Sequence, residues 1–92
     1  MNQSSSNQYK RIDGKKLERA SDKIFQQNFI EIVYNDYSPI CAMICIDPIK
    51  YIMMDQIKSL EYYGYKTTMI EKQDAGWIIY VYQDQDKEGK KI

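Results

Sequence analysis

Hydrophobic residues recur every three or four positions in the first third of the chain, which is the spacing of an amphipathic helix. The pattern predicts a helix from Lys15 to Gln27, with Asp13 as its N-cap and Asn28 as its C-terminal stop. The predicted buried stripe of this helix consists of Leu17, Ala20 or Ser21, Ile24 and Phe25.

A second stretch with helical spacing follows the dipeptide Asp47-Pro48. Aspartate is a favoured N-cap and proline is favoured at the first helical position, so a helix is predicted to begin here. It is predicted to run to Tyr62 or Tyr63 and to end at Gly64, because glycine tolerates the left-handed conformation that ends many helices. Its predicted core stripe consists of Ile49, Ile52, Met53, Ile57 and Leu60.

Four stretches rich in β-branched, aromatic and other apolar residues are predicted as strands. These stretches are 29–34, 40–46, 65–71 and 77–82. Turn-forming residues separate the first pair at 35–39 and the second pair at 73–76. Each pair is therefore predicted to form a hairpin.

The order helix, hairpin, helix, hairpin predicts a two-layer α+β domain in αββαββ order, with a four-stranded antiparallel sheet and both helices on one face. The domain is predicted to span 10–83, between a disordered N-terminal segment at 1–9 and a charged disordered tail at 84–92. An alternative is a ferredoxin-like βαββαβ variant that uses 8–12 as an extra edge strand. The two αββ units are offset by about 36 residues without matching identities, so duplication and chance resemblance both stay open.

Two of the predicted strands, 40–46 and 77–82, are apolar or aromatic throughout, whereas a half-buried strand alternates with polar residues. We expect these two strands to lie side by side in the middle of the sheet. Two helices cover only one face of such a sheet, so the other face should expose an apolar, aromatic patch of the kind that marks an interface. Three occupants stay open for it: the terminal segments of the chain, a second copy in a homodimer, or a different partner or ligand.

Composition removes most catalytic chemistry from consideration. The 92 residues include 13 Lys and Arg, 13 Asp and Glu, and no His, which excludes His-based triads and His-containing zinc sites. Cys41 and Cys45 are too far apart along one strand to form a disulfide and too few to hold a metal alone. No catalytic, cofactor-binding or metal-binding residue is predicted, and an enzyme with its site at a dimer interface is a minor alternative.

The sequence predicts a small non-enzymatic regulatory or interaction protein that binds a protein partner or itself through the apolar sheet face. Inhibitors and accessory proteins of mobile elements are of this type. The start of the chain is polar and no stretch approaches the ~18 apolar residues of a membrane span, so we expect a cytoplasmic location and no membrane partner. The candidate partner-binding residues are Tyr34, Tyr37, Cys41, Met43, Trp77, Tyr80 and Tyr82.

Single-stranded nucleic-acid binding is the alternative function. Aromatic side chains of the sheet could stack on bases, and basic residues near the start of the chain could contact phosphates. The candidate basic residues are Lys10, Arg11, Lys15, Lys16 and Arg19. Residues 28–63 are acidic, with two basic residues against five acidic ones, which favours the protein-binding hypothesis.

A salt titration separates the two functions. If the sheet aromatics bind nucleic acid, the fluorescence of Trp77 should change when a single-stranded oligonucleotide is added at low salt, and the affinity should fall steeply as salt rises. Binding of a protein through an apolar face should hardly change over the same titration. A Trp77 signal that does not respond to oligonucleotides at low salt would contradict the nucleic-acid alternative.

Overall fold

The computed structural model describes residues 12–34, 41–48 and 51–83. The segments 1–11, 35–40, 49–50 and 84–92 lie outside these ranges, and the predictions that fall on them include both terminal segments and the turn at 35–39. Of the alternative edge strand at 8–12 only Ile12 is described, and it belongs to no strand.

Two helices and four strands follow one another in the predicted αββαββ order. They are α1 (Gly14–Phe25), β1 (Phe29–Tyr34), β2 (Cys41–Ile46), α2 (Met54–Tyr62), β3 (Tyr65–Gln73) and β4 (Gly76–Gln83), with a 3-10 turn at Gln26–Asn28. The strands form one antiparallel sheet in the order β1-β2-β4-β3. The predicted fold class is therefore confirmed, and so is the central position of the two strands that are apolar on both sides.

Helix α1 begins where the sequence predicts. The Asp13 side chain accepts hydrogen bonds from the backbone N–H groups of Lys15 (3.0 Å) and Lys16 (3.3 Å), as an N-cap does. The helix ends at Phe25, earlier than predicted, because the chain tightens into the 3-10 turn that leads directly into β1.

The predicted start of α2 at Asp47-Pro48 is wrong. The backbone N–H of Asp47 donates to the carbonyl of Asn28 (2.8 Å) and so continues the β1–β2 ladder instead of opening a helix. The helix begins at Met54, and Oε1 of Gln56 accepts a hydrogen bond from the backbone N–H of Met53, the residue before the helix (3.0 Å).

The predicted core stripe of α2 is confirmed in part. Leu60 is buried, and Ile52 and Ile57 pack against the core. Met53 is exposed instead, and Ile49 lies outside the described residues. The helix ends as predicted, because Gly64 follows it with a positive φ of 98°.

Both helices pack on the same face of the sheet, which we call the covered face. Helix α1 contacts β1, α2 contacts β3, and the two helices contact each other. The core between the layers consists of Leu17, Ala20, Phe25, Ala42, Ile44, Ile46, Leu60, Tyr65, Ile79 and Val81. Since alternate residues of β2 and β4 supply this core, one side of each central strand is buried under the helices and the other side is not.

The sheet order places the second strands of the two αββ units side by side, as a pseudo-twofold repeat requires. The offset of about 36 residues does not hold within those strands. It equates the buried Ile44 with Tyr80, but Ile44 pairs with Ile79, so Tyr80 points to the opposite face. The symmetry holds for the order of the elements and fails for the side-chain register.

The backbones of β2 and β4 come very close at the start of β4. A Cβ atom on Gly76 would overlap the carbonyl oxygen of Ile46. Gly76 also has a φ of +148°, a conformation that residues with a side chain rarely adopt. Glycine is required at this position on both counts.

Replacing Gly76 with alanine should lower the free energy of unfolding by roughly 3 kcal/mol or more, because the strands must separate locally and the backbone must hold a strained φ. Gly64→Ala is the matched control for the cost of a positive φ, which is about 1–2 kcal/mol. Denaturant unfolding of both variants measures the difference. Equal losses of stability would contradict the close approach of the two backbones.

Candidate functional site

The sheet face opposite the helices carries the candidate site, and we call it the open face. All four strands contribute to it through Glu31, Val33, Met43, Cys45, Lys66, Met69, Glu71, Ile78, Tyr80 and Tyr82. None of these side chains belongs to the core between the layers, and Val33 and Met69 are 39% and 51% exposed. Within the described ranges, no helix packs on this face.

Cross-strand pairing arranges the open face in rows. An uncharged middle row crosses all four strands and consists of Val33, Met43, Tyr80 and Met69. The row nearer the β3–β4 turn ends in two carboxylates and consists of Glu31, Cys45, Ile78 and Glu71. The row on the other side of the centre brings Tyr82 beside Lys66. The face is therefore apolar across its middle, acidic at one end, and basic at one corner of the other end.

The Tyr80 hydroxyl, in the middle row, is paired with a carboxylate. It donates to Oε1 of Glu71 at 2.9 Å, and the same oxygen accepts a longer bond from Nε2 of Gln73 at 3.4 Å. This hydrogen bond stabilises the neutral phenol and raises the pKa of Tyr80, with burial and the charge of Glu71 adding to the effect. Tyr80 is thus a neutral donor rather than a base.

Cys45 is likewise held in its neutral form. Burial, and after it the negative charge of Glu31, raises the pKa of the thiol and so reduces the thiolate that would act as a nucleophile. Beside it lies a groove of about 210 Å³ whose lining residues include Ile30 and Ile78. This end of the face is suited to contact rather than to catalysis.

Three of the predicted partner-binding residues lie together on the open face: Met43, Tyr80 and Tyr82. Met43 and Tyr80 are direct cross-strand partners in the central strand pair, so they lie in the middle of the face. Tyr37 and the side chain of Cys41 lie outside the described part of the chain.

The structure separates Tyr34 and Trp77 from the other candidates. Their cross-strand partners are the buried residues Ala42 and Ile46, so both rings lie on the covered face. Trp77 packs against the core, and Nζ of Lys72 lies 5.7 Å from the centre of its ring. Both faces of β4 are apolar, so the sequence pattern does not show which face receives the helices.

The basic residues of the nucleic-acid alternative do not join the tyrosines of the open face. Helix α1 carries Lys15, Lys16 and Arg19, and this helix packs on the covered face. Lys10 and Arg11 lie outside the described ranges. The sheet therefore lies between the basic side chains of α1 and the rings of Tyr80 and Tyr82, whereas the Trp77 ring lies on the same face as α1.

The members of the open face on the edge strands could not be predicted from the sequence, because each edge strand contains a bulge. The register of β3 shifts between Thr67 and Met69, which turns Met69 to the same face as Lys66 although strict alternation assigns the two to opposite faces. The register of β1 shifts between Phe29 and Glu31 in the same way. A single unpaired residue within a strand cannot be recognised from the hydrophobic pattern.

Comparison with known proteins gives no relative from which to infer a function. No protein-family model, curated protein or solved structure matches this chain. Among the residues that the structure describes, no helix is long and apolar enough to cross a membrane, and no three potential metal ligands cluster together. The open face itself is therefore the basis for assigning a function.

The raised pKa of Cys45 can be tested by alkylation. Because Glu31 raises this pKa, Glu31→Gln should lower it, increase the thiolate fraction and speed iodoacetamide modification of Cys45 roughly twofold near neutral pH. The curve of rate against pH should shift to lower pH, as measured by mass spectrometry of the peptide that contains Cys45. Glu18→Gln, on α1, is the control and should change nothing. A rate that is unchanged or lower in Glu31→Gln would contradict the assignment.

Proposed function

We propose that this protein acts without catalysis, as a small regulatory or interaction protein that binds a protein partner through the open face. The observation that carries the proposal is the uncharged row that crosses the whole sheet through Met43 and Tyr80, on the side that the helices leave uncovered. Burial of apolar surface is the main favourable term in protein association. Aromatic residues and methionine, which form the centre of this row, are enriched in protein interfaces.

The charges of the open face favour a protein over a nucleic acid. A phosphate backbone on this face would meet the carboxylates of Glu31 and Glu71 and only one described cation, Lys66. A protein partner can bury the apolar middle row while these three charges, at the corners of the face, set its orientation.

The neutral state of the polar groups supports the same function. Tyr80 and Cys45 are the groups of the open face with acid, base or nucleophile chemistry near its centre, and both have a raised pKa. Neutral groups cost less to desolvate in an interface than charged ones. The physical features that make these side chains poor catalysts make them suitable contact residues.

A cytoplasmic location and an inhibitory or accessory role, as in mobile elements, complete the proposal. Cys45 is a free thiol, which fits a compartment in which thiols stay reduced. A domain of this size has little room for an enclosed active site, so an exposed face is the natural place for its function.

Site-specific photo-crosslinking in the cells that produce the protein tests the proposal. A benzoylphenylalanine in place of Met69, on the open face, should give adducts of discrete mass on irradiation, because a bound partner covers this position. The same group in place of Lys58, which is exposed on α2, is the matched control and should give few adducts or none. The adducts are detected by gel shift and identified by mass spectrometry.

Identical adducts from the Met69 and Lys58 positions, or no adduct from either position, would contradict the proposal. A specific adduct at Met69 with twice the mass of the chain shows a second copy on the face. A specific adduct of any other mass shows a different partner.

A further inference from the structure

We propose that the partner of the open face is a second copy of this chain. The two sheets pack face to face with their strands antiparallel, so that Lys66 of each copy meets Glu71 of the other. This inference rests on the proposed function, because it names the occupant of the same face.

The charges at the corners of the open face decide the arrangement. Glu31 and Glu71 occupy the two corners near the β3–β4 turn, and Lys66 occupies the far corner on β3. All three residues are exposed, so each of them contacts whatever packs on the face. Opposite charges across an interface fix its register, and like charges exclude the wrong one.

A twofold axis between two such faces has four simple directions. An axis along the strands sets β1 against β3, so that Glu31 meets Glu71 twice. An axis across the strands sets each strand against its own copy with the ends exchanged, so that Lys66 meets Glu71 twice and no carboxylate meets another. One diagonal axis sets Glu71 against Glu71 of the second copy, and the other sets Lys66 against Lys66 of the second copy. Only the axis across the strands pairs opposite charges without also pairing like ones.

The same arrangement matches apolar side chains with apolar side chains. The axis passes over the middle row, so Met43 and Tyr80 pack on their own copies. Ile78 of one copy faces Tyr82 of the second copy, because the two residues lie one row from the axis on opposite sides. The groove beside Ile78 receives the ring of this Tyr82. The Tyr80 hydroxyl enters the interface already bonded to Glu71, which removes the cost of an unpaired donor.

The size of the face predicts a weak dimer. Four strands about 4.8 Å apart and six residues that advance about 3.3 Å each give a footprint of roughly 400 Å² per copy. Two copies therefore bury about 800 Å², not counting the extra area of side chains that protrude from the flat footprint. This is less than the ~1,200–2,000 Å² of stable complexes. We expect a dimer that dissociates on dilution rather than an obligate one.

Sedimentation velocity on the full chain measures the association. Between about 1 μM and about 500 μM, the range in which small interfaces dissociate, the mass should rise from 11.0 kDa toward twice that value. Lys66→Glu and Glu71→Lys should each weaken dimerisation roughly tenfold, because two attractive pairs become repulsive. Glu31→Lys is the control and should have little effect, because Glu31 faces neither of the other two charges.

Mixing the two charge-reversed variants is the decisive measurement. In an equimolar mixture, each copy of Lys66→Glu offers two carboxylates to the two lysines of Glu71→Lys, so the mixed dimer should bind more tightly than either variant does alone. It should stay weaker than the wild-type dimer, because Tyr80 of the Glu71→Lys copy has lost its acceptor. A variant that had lost its fold would not be rescued by mixing. Far-UV circular dichroism of each variant confirms that the sheet is intact.

Three results would overturn the proposal: a monomer at every concentration, a dimer whose affinity the charge reversals do not change, or a mixture of the two variants that dimerises no more tightly than either variant alone. These failures are distinguishable from failure of the proposed function. A monomeric chain whose Met69 crosslinks specifically to a different protein overturns the second copy and keeps the open face as a binding surface. Absence of any Met69-specific adduct overturns both.

Discussion

The pairing of β2 with β4 is the interaction on which the rest of the structure depends. Their ladder runs from Cys41–Tyr82 to Ile46–Trp77 and is the strand pairing that joins the two αββ halves, because β1 pairs with β2 and β3 pairs with β4. Both strands are apolar on two sides, so they occupy the centre of the sheet. The helices cover one side of this pair, and the other side becomes the open face.

The open face follows from a limit on what two helices can cover. Two helices occupy one face of a four-stranded sheet, and the remaining apolar residues stay at the surface unless another surface covers them. The polar groups on that face are neutral near its centre, at Tyr80 and Cys45, and charged at its corners. This distribution resembles that of protein interfaces, which are apolar in the centre and polar at the rim.

The sequence predicts the features that depend on local pattern and on strand composition. The Asp13 cap, the helix end at Gly64 and the central position of the two apolar strands all follow from the residues at those sites. The start of α2 could not be predicted in this way, because Asp47 is bonded to Asn28 in a neighbouring strand. Which residues belong to the open face depends on two bulges and on which side of the sheet the helices pack. Neither can be inferred from the periodicity of the sequence.

The close contact at Gly76 has a consequence for the uniqueness of the fold. In most sheets a one-residue slip between strands exposes apolar side chains, and this cost fixes the register. Between β2 and β4 the cost is small, because both faces of both strands are apolar. A slipped pairing would instead bring a residue with a side chain to the place where only Gly76 fits against the Ile46 carbonyl. A single missing methyl group thus specifies a register that the hydrophobic pattern leaves ambiguous.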